Sequence, residues 1–145
     1  MEVYTVGFTK KTAEQFFGLL KANGIQRLLD VRLNNTSQLA SFAKREDLAY
    51  FLRELCHAEY VHETLLAPTQ DLLDAYKKNG GDWSEYEAAF LNLMTEREIE
   101  KKISKDLFAV RTVMLCSEAT AENCHRRLVA EYLREKWGDV TIRHL

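Results

Sequence analysis

The chain is poor in residues that break regular structure: its 145 residues include one proline, Pro68, and six glycines. So few breakers exclude a linker-rich or low-complexity organisation and predict regular elements joined by short connections. Cysteine is also scarce. Three thiols, an odd number, do not make a secreted disulfide framework. A reducing cytoplasm is the expected setting, with the thiols free unless they bind metal or turn over. No apolar run approaches the ~20 residues of a membrane helix. The first residues, MEVYTVGFTKK, lack the basic lead and long apolar core of a secretory signal. A formal net charge of -2 provides no bulk positive field for nucleic acid or anionic lipid. Nucleic acid could be bound only through a local basic face, for which Arg126, Arg127, Arg134, Lys136 and Arg143 are available.

What is present points to an ordered globular chain. Apolar residues make up 46% and charged residues 29%, and the length suits a single domain over residues 1–145. β-rich runs alternate with helical periodicity. Strands are expected at Val3–Gly7, Arg27–Arg32, Glu59–His62, Ala109–Cys116 and Val140–His144. A helix capped by Thr12, with Gln15 in capping-box position, should end at Gly24. Others are expected from Glu46 (Leu48, Phe51, Leu52 and Leu55 in phase), from Pro68 to Tyr76, after Asp82, and over Ala121–Trp137 up to Gly138. Asn34–Phe42 reads as the main loop, and Asn79-Gly80-Gly81 as a break. This alternation predicts a three-layer α/β domain: a mainly parallel five-stranded sheet with helices on both faces, Rossmann-like or flavodoxin-like.

In open parallel sheets, ligands sit beyond the carboxyl ends of the strands. The expected ends carry Gly7, Asp30 with Arg32, His62, Cys116 to Glu118, and His144. Cys124, His125 and Arg126 follow where the last helix begins. Two thiols, an imidazole, a carboxylate and two guanidiniums within a dozen residues are the side chains of nucleophilic, metal or anion chemistry. Cys124, Glu118 and His125 are the expected catalytic groups. A thiol in the first helical turn, close to Arg126, should favour thiolate. Gly7, Asp30, Arg32, His62, Cys116, Arg126 and His144 are the expected substrate-binding residues, with Cys116 a wall of the pocket. Asp30 and Arg32 also suit a buried ion pair that orders the loop after them. Arg126 and Arg127 at a helix start call for an acidic partner, which could be Glu118, Asp30 or a bound anion.

These motifs resemble a bacterial and archaeal family, domain of unknown function 488. The resemblance rests on Tyr4-Thr5-Val6-Gly7, Asp30-Val31-Arg32 with Ser37 beyond, and Tyr60-Val61-His62. It also rests on Leu115-Cys116-Ser117-Glu118, Cys124-His125-Arg126-Arg127 and Val140 to His144. It implies a compact α/β domain whose motif residues gather at one site, and it implies no particular substrate. Two positions depart from the pattern. Phe8-Thr9 stands where many members have His-Ser, and Asn34 where many have proline.

Three functions compete. The first is a small enzyme acting on an anionic, nucleotide-like substrate held by Arg32 and Arg126. The second is a zinc or iron site built from Cys116, Cys124 and His125 with His62 or His144, although paired Cys-x-x-Cys spacing is missing. The third is a nucleic-acid-binding module. No cofactor is assigned by the residues alone. Rhodanese-like sulfur transfer, prompted by Leu29-Asp30-Val31-Arg32, lacks the compact cysteine loop that it needs.

Overall fold

A computed structural model describes residues 1–35, 41–78, 80–118 and 121–145. Ser37 and Asn79 lie outside the described residues. Five strands, β1 (Glu2–Gly7), β2 (Arg27–Asp30), β3 (Glu59–His62), β4 (Thr112–Cys116) and β5 (Thr141–His144), form one sheet in the order β3-β2-β4-β1-β5. Every pairing is parallel, so all five carboxyl ends share one rim. The expected three-layer α/β architecture is thereby shown.

Strand alternation sorts side chains to two cores. Tyr4, Val6, Leu28, Val113 and Leu115 face one layer, formed by α1 (Ala13–Ala22) and α2 (Arg45–Phe51). Val3, Leu29, Met114 and Cys116 face the other. That layer contains α3 (Gln70–Lys77), α4 (Trp83–Arg97), α5 (Ile99–Lys102) and α6 (His125–Trp137). The chain therefore leaves β1 and β2 toward one face and β4 toward the other. Because β4 lies between β1 and β2, its carboxyl end borders the crevices where successive connections diverge, the usual place for a ligand in such sheets.

Local chemistry sets most boundaries. Thr12 and Gln15 form a complete capping box, and Gly24 takes the left-handed φ of 64° just beyond α1. The third helix opens later than the proline, at Gln70, because Thr69 supplies the cap by accepting the N–H of Leu72. Helix α2 widens into a π-helical turn, Leu52–Cys56, closed by His57 at φ 52°. That widening takes Leu55 out of phase and leaves it exposed. Strand β4 starts at Thr112 because Lys105–Phe108 coils into a 3-10 turn. The last helix starts at His125, four residues later than Ala121, with Cys124 as its N-cap.

Candidate functional site

At the end of β2, Asp30 and Arg32 form a bidentate pair. Arg32 Nε donates to Oδ1 at 2.9 Å and Nη2 to Oδ2 at 2.8 Å, while the Arg32 backbone N–H reaches Oδ1 at 3.1 Å. Tyr60 Oη donates to Asp30 Oδ2 at 2.6 Å, and Arg32 Nη2 also reaches the Ala43 carbonyl at 2.7 Å. The Arg32 guanidinium lies 5.3 Å from the centroid of Phe8, so this ring packs under the arginine. His62 completes the network: Nε2 donates to the Arg32 carbonyl at 2.8 Å, and Nδ1 accepts from Asn35 at 3.1 Å. Both of its ring nitrogens are thus engaged. The buried ion pair and its neighbours tie β2, β3 and the following segment together.

The end of β4 is built differently. Gly7 lies beside Cys116 in the parallel register. A Cβ on Gly7 would sit 1.5 Å from the Glu118 carbonyl oxygen and 2.7 Å from Arg126 Nη1. Only glycine lets the Glu118 backbone cross the end of β1 this closely. Arg126, fully buried in α6, donates Nη1 to that same carbonyl at 2.6 Å and Nε to Thr5 Oγ1 at 3.3 Å. Its buried Nη2 has no hydrogen-bond partner among the described residues. Neither expected carboxylate pairs with it. Asp30 belongs to Arg32, Glu118 turns its carboxylate to Lys77 at 2.9 Å, and Arg127 instead bonds Glu131.

Cys116, Cys124 and His125 are all buried, and their sulfur and nitrogen atoms lie within 4.8 Å of one another. His125 Nε2 must donate to the Val31 carbonyl at 2.7 Å, since a carbonyl can only accept. That bond leaves Nδ1 as the lone-pair nitrogen of the neutral ring. It faces Cys116 Sγ at 3.4 Å.

The thiols differ in the opposite sense from that expected. Burial opposes ionisation of Cys116, but a hydrogen bond from Cys124, the Arg126 charge and the backbone N–H groups of Ser117 and Glu118 outweigh it and lower its pKa. Burial pushes Cys124 well up, and its neighbour Cys116 adds to the rise. The dipole argument for a Cys124 thiolate fails because the sulfur is enclosed at the N-cap position, where desolvation dominates.

Cys116, Cys124 and His125 line a cavity of about 280 Å³ together with the polar residues Arg32, Asn34, Lys77 and Lys78 and the aromatic cluster Tyr76, Trp83 and Tyr86. Glu118 lines it as well. A model of the family described as "Domain of unknown function DUF488" matches residues 12–133. The chain belongs to this family. The match contains the Asp30-Val31-Arg32, Cys116-Ser117-Glu118 and Cys124-His125-Arg126 motifs, while Gly7 and His144 fall outside it. Neither a curated protein nor a solved structure matches.

Five residues expected at the site, Gly7, Asp30, His62, Arg126 and His144, do not line the cavity of this DUF488 protein. His62 is taken up by the β2 network. His144, exposed on β5, holds Thr5 Oγ1 through Nδ1 at 2.5 Å and so supports Arg126 from behind. Burial and the Arg126 charge both lower the His144 pKa. Sequence reasoning missed Thr5, Tyr60 and the α3 residues Tyr76 and Lys77. The cue for the last two is their position just before the Gly80-Gly81 break, which returns the chain to Trp83 and Tyr86.

Proposed function

We propose that this chain is a single-domain enzyme that acts on a small anionic, nucleotide-like substrate through the Cys116 thiol. One observation carries the reading: Cys116 Sγ lies 3.4 Å from His125 Nδ1 in the lining of a cavity. A nucleophile and a base within reach, with the base oriented by a third group, are the working parts of covalent catalysis. Here the orienting group is the Val31 carbonyl.

In the reaction, Cys116 S–H gives its proton to Nδ1 as the sulfur lone pair forms a bond to the electrophilic centre. The bond to the leaving group breaks, and His125 returns the proton to that group. Water, deprotonated by the same nitrogen, then releases the product and restores the thiol. Cys124 serves as a hydrogen-bond donor to Cys116 and is not the attacking group. Lys77 and Lys78 supply positive charge for an anion, Arg32 being held by Asp30, and the Tyr76, Trp83 and Tyr86 wall accommodates a planar ring. Glu118, engaged with Lys77, shapes the rim. A reducing cytoplasmic setting accompanies the reading, because it keeps these thiols free.

Alkylation mapped by mass spectrometry tests it. Iodoacetate, an anionic electrophile, should modify Cys116 ahead of Cys56 and Cys124 in chelator-treated protein. Replacing His125 with Asn should slow that modification about 100-fold, the low end of what a positioned base contributes. Equal labelling of all three thiols, or a rate unchanged in folded His125→Asn, would overturn the assignment.

A further inference from the structure

We infer that Cys116, Cys124 and His125 together form a binding site for a thiophilic divalent cation of the zinc class, with its fourth coordination position open to the cavity. The geometry is close to that of a loaded site. Zn–S and Zn–N bonds of about 2.3 and 2.05 Å at a tetrahedral angle place sulfur and nitrogen about 3.6 Å apart and two sulfurs about 3.8 Å apart. Cys116 Sγ and His125 Nδ1 are 3.4 Å apart, and all three ligand atoms fall within 4.8 Å. Closing the wider of these distances by no more than about 1 Å would seat the ion.

The imidazole is also prepared in the manner of a metal ligand. The Nε2–H bond to Val31 fixes the tautomer and aims the Nδ1 lone pair at the sulfurs, the outer-shell support that ligating histidines show. Two thiolates and an imidazole exclude magnesium and calcium, which require oxygen ligands. Three protein ligands and one open position are the pattern of a reactive zinc site; a purely structural site would be closed by four. His62 and His144, the fourth ligands considered from sequence, are engaged elsewhere through their ring nitrogens.

The metal site stands without the enzymatic reading; only its regulatory consequence rests on that reading. A cation bound here occupies the Cys116 lone pair that would attack substrate. Metal-bound and nucleophilic forms are then alternatives, and metal availability determines which form is present.

Titration of reduced, chelator-stripped protein with Co²⁺ is the test. We expect one equivalent to bind, giving sulfur-to-cobalt charge-transfer absorption in the near ultraviolet and strong visible bands of a tetrahedral ion, both displaced by Zn²⁺. Cys124→Ser and His125→Asn should each weaken binding by roughly 100-fold, as large as the greatest outer-shell effects. In the wild-type chain, which needs no variant to fold, Zn²⁺ should protect both Cys116 and Cys124 from iodoacetamide while Cys56 remains reactive. Absence of the charge-transfer band, or protection that does not distinguish Cys56, would overturn the site. Metal binding with an unreactive Cys116 in stripped protein would overturn the enzymatic reading alone.

Discussion

Two neighbouring strand ends carry buried arginines, and the two are handled in opposite ways. At the end of β2, Arg32 has a bidentate carboxylate, a backbone carbonyl and an aromatic ring, and Asp30 has Tyr60 as a further donor. At the end of β4, Arg126 is more deeply buried, and among the described residues it has only a carbonyl and a hydroxyl, with Nη2 unpaired. The first network is saturated and fastens loop to sheet. The second is short of one negative charge, and Cys116, whose pKa the Arg126 charge helps to lower, is the thiol suited to supply it. Buried polar networks of the first kind specify structure, whereas those of the second retain unspent capacity for chemistry.

The sharpest way to break this contrast is to remove the carboxylate. Asp30→Ala leaves Arg32 as an uncompensated buried cation and should cost about 3–5 kcal/mol in urea unfolding. A loss below 1 kcal/mol would mean that the pair carries no architectural weight. Gly7→Ala attacks the other network through its backbone. The new Cβ meets the Glu118 carbonyl, so the segment that holds Arg126 must shift, at about 1–3 kcal/mol in the same assay. A fully stable variant would show that the close crossing is dispensable. The smallest effect belongs to the rim. Lys77→Ala removes an exposed pair with Glu118 and should alter stability by about 0–1 kcal/mol.

How much of this was legible before folding depends on what each feature requires. The parallel sheet, the Thr12 cap, the Gly24 stop and the assembly of Cys116 to Glu118 with Cys124 to Arg126 follow from period, caps and the strand-end rule. The ranking of the two thiols does not. Burial opposes ionisation of both, and the ranking turns on which sulfur receives the hydrogen bond of the other, the backbone N–H groups and the Arg126 charge, tertiary contacts on which periodicity carries no information. The start of α6 slipped by four residues for a related reason. Ala121, Glu122 and Asn123 are compatible with a first turn, yet helical geometry begins only at His125, with Cys124 as its cap. His62 and His144 were placed at the right ends of their strands, but their partners Asn35 and Thr5 come from other elements and could not be read from spacing. Asp30 and Arg32 were the easier case: alternate positions at one strand end put opposite charges side by side whatever the tertiary detail.

The bond from His125 to the Val31 carbonyl joins residues 94 positions apart. A closure of that span forms only after β4 has docked beside β2, because the chain must first meet the entropic cost of a long loop. Until then Cys116 and Cys124 are ordinary thiols with no fixed acceptor beside them. The juxtaposition of Cys116 with His125 is therefore a property of the docked β2–β4 pair and not of either segment alone.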